Sequence, residues 1–262
     1  MENRLDLAIK EKYGYSREYA KEIILKGYVF INGKNIKKPS FKIFDKDCIT
    51  LDEKATPKYV SRGGFKLEKA LDYFKIYLNG KECIDIGTST GGFSDCMLQN
   101  NAKLVYAIDV GTNQLNEKIL NNDKVISMEN TDIRDFNIDK KFDFICVDVS
   151  FISLTKIIDK IKELIKDDSF VVMLIKPQFE AGIKSSKNGI IKNKNLHIKI
   201  LEKISNFCIN EGFFIKDVTY SPIKGSKGNI EYLICLNKIY ENKNLSLKNV
   251  VYEAFEELNK GE

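Results

Sequence analysis

At 262 residues the chain is long enough for one sizeable α/β domain plus a small appendage; its formal net charge of +5 suits a polyanionic partner, although a general lysine bias explains it equally well. The longest central apolar run, Phe170 to Ile175, is far too short to cross a bilayer, and the opening Met-Glu-Asn-Arg-Leu-Asp lacks the apolar core of a signal peptide, so a cytoplasmic protein without membrane insertion is expected. The six cysteines form no C-x-x-C pair and most lie inside apolar strands or helices, which implies buried free thiols in a reducing compartment, and the single His197 argues against a histidine zinc site or a Ser-His-Asp hydrolase; no metal is expected.

Residues 1–54 read as a compact basic module. Arg4 to Lys10 and Ser16 to Lys26 are amphipathic helices, the second capped by Ser16 and stopped at Gly27. Tyr28-Val-Phe-Ile-Asn-Gly33 and Cys48-Ile-Thr-Leu51 follow as strands, the first turning at Asn32-Gly33. Arg17, Lys21, Lys26, Lys34, Lys37 and Lys38 form either a nucleic-acid face or an ordinary solvated surface; the pattern alone weighs the two evenly.

Residues 55–60 are a linker, with Pro57 blocking helix continuation, and residues 61–262 form the second domain. Leu67, Ala70, Leu71, Phe74 and Leu78 repeat at helical spacing. Strands then alternate with helices: Glu82–Ile86, a helix from Phe93, Leu104–Asp109, a helix near Gln114, Val125–Met128, Phe142–Val147, a helix from Ser153, Phe170–Ile175, a helix over Leu196–Ile209, Phe213–Tyr220, Tyr232–Ile239 and a final amphipathic helix from Leu247 to Leu258. This alternation predicts an α/β fold: a Rossmann-like, mainly parallel sheet covered on both faces, behind a small N-terminal α+β domain.

The loop Asp85-Ile-Gly-Thr-Ser-Thr-Gly-Gly92 follows a strand and opens a helix, where such sheets bind nucleotides. Its spacing is not G-x-G-x-x-G, and it lacks the Lys-Ser/Thr of a P-loop. Asp109 ends the second strand and is suited to both hydroxyls of a ribose; Asp85 and Asp132 add further carboxyl groups. Negative walls favour a cationic sulfonium over a diphosphate, which points to S-adenosylmethionine. The cofactor-binding candidates are Asp85, Gly87, Ser89, Thr90, Gly91, Gly92, Phe93, Asp109 and Asp132.

Lys66, Asp148, Lys176 and Glu231 are charges at strand ends or helix openings, badly placed for a core and well placed for a cleft. A ribose hydroxyl attacking a sulfonium methyl must lose its proton, and a neutral lysine can take it. Lys176, ending a strand expected to be buried, is the better base; Lys66 supplies a neighbouring charge and holds substrate. Burial and the second ammonium lower the base's pKa, whereas Asp148 and Glu231, which orient the lysines, raise it. Sequence does not decide between these effects. Lys184, Lys187, Lys192 and Lys194, in an acid-free stretch after Lys176, are expected to meet RNA backbone.

Several blocks carry a resemblance. Arg4-Leu-Asp, Ser16-Arg-x-x-Ala-Lys21, Gly27-Tyr-Val-Phe-Ile-Asn-Gly33 and Lys38-Pro-Ser40 resemble the RNA-binding module first seen in ribosomal small-subunit protein four, which implies phosphate contacts from Arg4, Arg17, Lys21 and Lys26. The order of Lys66, Asp148, Lys176 and Glu231 resembles the Lys-Asp-Lys-Glu tetrad of FtsJ-type ribose 2′-O-methyltransferases. Ser61-Arg-Gly-Gly-Phe-Lys-Leu67, Asp85 to Asp95, Ala107-Ile-Asp-Val-Gly111, Val147-Asp-Val-Ser-Phe-Ile152, Lys176-Pro-Gln-Phe-Glu180 and Gly228-Asn-Ile-Glu231 are more closely similar to the TlyA family, whose members carry the same N-terminal module. The resemblance implies 2′-O-methylation of ribosomal RNA, at cytidine in the large or small subunit, with rRNA or a ribosomal subunit as partner and no obligate protein partner. The short segment before Arg4 is similar to the smaller subtype, which acts on large-subunit rRNA alone. Pro57-Lys-Tyr-Val60 departs from the family in lacking the Arg and Trp of its interdomain segment.

Two other classes compete. Asp109 lies 24 residues after Asp85, near dinucleotide-fold spacing, which suits an NAD-dependent oxidoreductase, although a hydride-site histidine or tyrosine is missing. A non-catalytic RNA-binding assembly protein is the other. Relatives of this family are also called hemolysins, but amphipathic helices that face a core give membrane lysis little support.

Overall fold

A computed structural model describes residues 2–181, 189–239 and 245–260. The chain divides into two compact units, Met1–Ser61 and Arg62–Glu262. In the first, β1 (Glu2–Arg4) leads into α1 (Leu5–Tyr13) and α2 (Arg17–Leu25), followed by β2 (Val29–Ile31), β3 (Lys34–Asn35), β4 (Lys42–Phe44) and β5 (Ile49–Leu51). Ser16 caps α2 as its chemistry predicts, its hydroxyl accepting from the Tyr19 amide at 3.1 Å. Leu5, Ile9, Ile23, Ile24 and Val29 form the core. β3, β2 and β5 make one small sheet, and β1 pairs with β4 in another. Strands this short leave almost no periodicity to read, so β1, β3 and β4 have no sequence signal of their own.

The second unit holds α3 (Gly63–Phe74), β6 (Glu82–Ile86), α4 (Gly92–Gln99), β7 (Leu104–Ile108), α5 (Glu117–Leu120), β8 (Val125–Met128), β9 (Phe142–Val147), α6 (Ile158–Leu164), β10 (Ile165–Ile175), α7 (Pro177–Glu180), α8 (Lys194–Asn210), β11 (Phe214–Tyr220), β12 (Tyr232–Asn237) and α9 (Leu247–Leu258). Seven strands form one sheet in the order β11-β12-β10-β9-β6-β7-β8. The five from β10 to β8 run parallel, and β12 pairs antiparallel with both β10 and β11. Every residue of β12, and all but Asp143 of β9, is buried, as covering on both faces requires. Burial of each large aliphatic or aromatic side chain in this core stabilises the fold by about 1.5–3 kcal/mol.

Chain order reverses about β6, which has β7 on one side and β9 on the other. Connections from these two neighbouring strands therefore depart in opposite directions, opening a crevice beyond their carboxyl ends. Beyond shifts of a few residues at element ends, the structure departs from the sequence reading as follows. The helix containing Leu67 ends at Phe74, where Lys75 turns left-handed (φ 55°), and Leu78 is buried outside it. β10 begins at Ile165, with a register irregularity before Phe170. The helix expected from Ser153 is a 3-10 turn, Leu154–Lys156, followed by α6.

Candidate active site

Four segments far apart in sequence bring charged side chains together at the carboxyl end of the sheet. Lys66 comes from the first turns of α3, Asp148 follows β9, Lys176 ends β10 and Glu231 precedes β12. Lys66 Nζ donates to Glu231 Oε2 at 2.6 Å and lies 3.8 Å from Asp148 Oδ2. Lys176 Nζ lies 2.6 Å from Asp148 Oδ1, a charge contact rather than an aligned hydrogen bond, and donates to Ser150 Oγ at 2.9 Å. Gln178 Nε2 donates to Glu231 Oε1 at 3.1 Å. Two lysines and two acidic residues thus alternate in a nearly buried chain. Removing any one member strands a partner charge. Burial depresses the Lys66 pKa, but Asp148 and Glu231 outweigh it and the net shift is upward, so Lys66 is held as an ammonium.

The glycine loop lies at the end of β6. Gly87 N–H and Thr88 N–H donate to the Ile108 carbonyl at 2.8 and 3.2 Å, tying the loop to β7. Asp109 accepts from Ser89 N–H at 2.7 Å on one oxygen and from Gly111 N–H at 2.8 Å on the other, which leaves each oxygen a free lone pair. Ser89 and Thr90 are exposed, and so is Val110, an apolar residue next to Asp109. An acid at the second strand end, exposed loop hydroxyls and an apolar neighbour suit a nucleoside with a cationic tail, so the residues present fit S-adenosylmethionine.

Other candidates in this set sit differently. Asp85 is fully buried, accepting from Thr88 and Ser94 hydroxyls at 2.8 and 2.7 Å; it supports the loop from beneath. Burial raises its pKa to about 6, against the lowering effect of those hydrogen bonds. Gly91 and Gly92 are buried under the loop, and Phe93 packs in the interior at 3 % exposure. Asp132 is gripped bidentately by Arg134, whose hydrogen bonds lower the carboxyl pKa.

In the first unit Arg4 and Arg17 share one buried carboxylate. Asp6 accepts from Arg4 Nε and NH2 at 2.9 and 3.0 Å and from Arg17 Nε at 3.2 Å, and its pKa is lowered by these partners. Both arginine side chains remain about 45 % exposed. Lys26 pairs with Glu22 at 2.7 Å, and Lys21 is half-buried. In the second unit Lys192 is exposed, Lys194 lies 4.5 Å above the Tyr252 ring of α9, and Lys184 and Lys187 lie outside the described residues.

Sequence reasoning missed several neighbours of the charged chain: Ser150, Phe151, Gln178 and Gly225. Phe151 is 89 % exposed at φ 65°, with its ring 4.9 Å from that of Phe179. Such exposure of a large apolar residue beside a cleft is informative, but only three-dimensional structure reveals it. A Cβ on Gly225 would fall inside contact distance of Glu231 Oε1.

Comparison with known proteins agrees with this architecture. Residues 59–238 match the FtsJ-like methyltransferase family and residues 4–47 the S4 domain. Hemolysin A of Brachyspira hyodysenteriae is 48 % identical over 88 % of this chain and 98 % of its own. The 23S rRNA (cytidine-2′-O)-methyltransferase TlyA of Campylobacter jejuni is 36 % identical over 87 % of this chain and 97 % of its own. A solved structure of a hemolysin-named protein from Streptococcus thermophilus superposes with a TM-score of 0.78 at 42 % identity, covering 99 % of this chain and 98 % of that one. Among the described residues no helix is long and apolar enough to cross a membrane. The chain belongs to the FtsJ-like methyltransferases, and its S4 domain together with its identity to TlyA puts it in the TlyA branch of that family.

Proposed function

We propose that this protein transfers the methyl group of S-adenosylmethionine to the 2′-hydroxyl of a cytidine in ribosomal RNA, in the cytoplasm. The observation that carries the reading is the meeting of Lys66, Asp148, Lys176 and Glu231 in one ion-paired chain beside the glycine loop. The name of the Campylobacter jejuni relative supports cytidine and the large subunit. When bound, the cofactor supplies an electrophilic methyl on a positively charged sulfur.

Asp109 and the backbone of Ser89 and Thr90 would hold the nucleoside part of the cofactor. Lys66, kept charged by Glu231 and Asp148, positions the ribose oxygen. As the free amine, Lys176 would take the 2′-hydroxyl proton on Nζ while the oxygen–carbon bond forms, the carbon–sulfur bond breaks and the sulfur leaves as a neutral thioether. Asp148 and Ser150 aim that amine, and Glu231, steadied by Gln178, holds Lys66. Little covalent work falls to the protein, so alignment carries most of the rate. Arg4 and Arg17, fixed by Asp6, together with Lys21, Lys26, Lys192 and the basic stretch containing Lys184 and Lys187, engage RNA phosphates. Lys194 lends its charge from the start of α8.

The test is methyl transfer to ribosomal RNA by purified protein, with the modified ribose mapped. Lys66→Ala, Asp148→Ala, Lys176→Ala and Glu231→Ala each lower kcat by about a hundredfold or more, while cofactor binding measured by calorimetry survives. Full turnover by Lys176→Ala removes the proposed base. A melting temperature raised by NAD but not by S-adenosylmethionine favours the oxidoreductase reading instead.

A further inference from the structure

Glu180 is buried at 6 % exposure and takes no part in the mechanism above. It ends α7, four residues after Lys176. Its Oε2 accepts from Ser153 Oγ at 2.6 Å and its Oε1 from the Leu154 amide at 2.8 Å. Both donors belong to the loop that follows Asp148, and they open the 3-10 turn Leu154–Lys156. One buried carboxylate therefore joins the strand end bearing Asp148 to the strand end bearing Lys176.

Residues 150–154 have three side-chain tethers to residues 176–180: Lys176 to Ser150, Phe179 to Phe151, and Glu180 to Ser153 and Leu154. The first two belong to groups that meet substrate in the proposed reaction: Lys176 presents its Nζ lone pair to the ribose hydroxyl while an N–H stays on Ser150, and the Phe151 ring is 89 % exposed. The loop also carries a left-handed phenylalanine, a conformation that persists only where surrounding contacts over-determine it. Of the three, the Glu180 tether is the one whose side chain takes no part in the proposed chemistry and is buried.

We infer that Glu180 is a positioning residue whose paired hydrogen bonds to Ser153 and Leu154 hold the Asp148 loop in register with Lys176 throughout turnover. The inference rests on the function proposed above for its kinetic part, and on geometry alone for its structural part. Glutamine preserves both bonds, its carbonyl accepting from Leu154 and its amide donating to Ser153 Oγ; alanine preserves neither.

The experiment uses full-length protein carrying Glu180→Ala, Glu180→Gln or Ser153→Ala, with kcat expressed per cofactor-binding site so that misfolded material is not counted. In Glu180→Ala, kcat falls about tenfold to a hundredfold, cofactor affinity and KM for RNA change less than threefold, and Glu180→Gln recovers most of the loss. Amide exchange at residues 150–155 accelerates in the alanine variant while the β6 and β9 amides stay protected. Unchanged exchange at 150–155, or kcat within twofold of the parent, overturns the inference. If the unsubstituted protein methylates no RNA, the proposed function fails, and the exchange result alone still decides the role of Glu180.

Discussion

Asp85 and Phe151 are both residues whose local cost is offset by position. Asp85 ionises inside the protein with a pKa of about 6, against an ordinary 3.8. A carboxyl raised on folding contributes stability that is fully present below the unfolded pKa and is lost as pH rises through about 6. Asn resembles the protonated form and still accepts from Thr88 and Ser94. Asp85→Asn is therefore expected to be more stable than the parent by on the order of 2–3 kcal/mol at pH 8, with the difference vanishing below about pH 4; urea midpoints at both pH values check this. At Phe151, a left-handed backbone costs a side-chain-bearing residue about 1–2 kcal/mol. Phe151→Gly should exceed Phe151→Ala in stability by about 1 kcal/mol, while both raise KM for RNA about tenfold through loss of a stacking face. Equal RNA affinity in parent and variants would deny that ring a role with substrate.

At the scale of elements, two glycines show how differently a methyl group acts according to what it meets. Gly87 has φ 83°, and a Cβ there would lie 2.8 Å from the Asp148 carbonyl oxygen, so backbone must yield to backbone. Gly87→Ala is expected to destabilise the protein by about 2 kcal/mol, read as a lowered urea midpoint. At Gly225 the obstacle is the Glu231 carboxylate, the free end of a side chain, with Cδ 3.0 Å from the new atom. Gly225→Ala should leave stability within about 1 kcal/mol and reduce kcat about tenfold, because the carboxylate moves off Lys66 and Gln178. A Gly225→Ala enzyme with parental kcat would show that Glu231 tolerates displacement.

On the scale of the whole molecule, each unit has a hydrophobic core of its own, one around Leu5, Ile9 and Ile23 and the other around the seven-stranded sheet. A chain cut before Arg62 should fold and bind S-adenosylmethionine with unchanged affinity. It should lose most of its RNA affinity, and the slope of log affinity against log salt should become shallower as phosphate contacts are removed. In the full-length protein, Arg4→Ala combined with Arg17→Ala should flatten that slope by about two contacts' worth; filter binding over a salt series measures both.

Alternation of buried apolar runs with helical spacing was enough to predict the second unit's parallel sheet, since strands covered on both faces must be continuously apolar, and β6, β8 and β9 match their predicted bounds residue for residue. Residue type and place at strand ends or helix openings made Lys66, Asp148, Lys176 and Glu231 candidates, and it took their order, which resembles a family tetrad, to set them apart from ordinary surface charges. Pairing was not legible in the sequence. The ion pair of Lys66 with Glu231, 165 residues away, the capture of Arg4 and Arg17 by Asp6, and the burial of Asp85 and Phe93 depend on how separate segments pack. Gln178 and Glu180 fall in a block that carries the resemblance, but their contacts, like those of Gly225, are not legible until a fold brings Glu231 and the Asp148 loop beside them. Local chemistry acts along the chain and leaves a pattern in it, whereas the geometry of a site is set by contacts between distant segments, which only the tertiary structure decides.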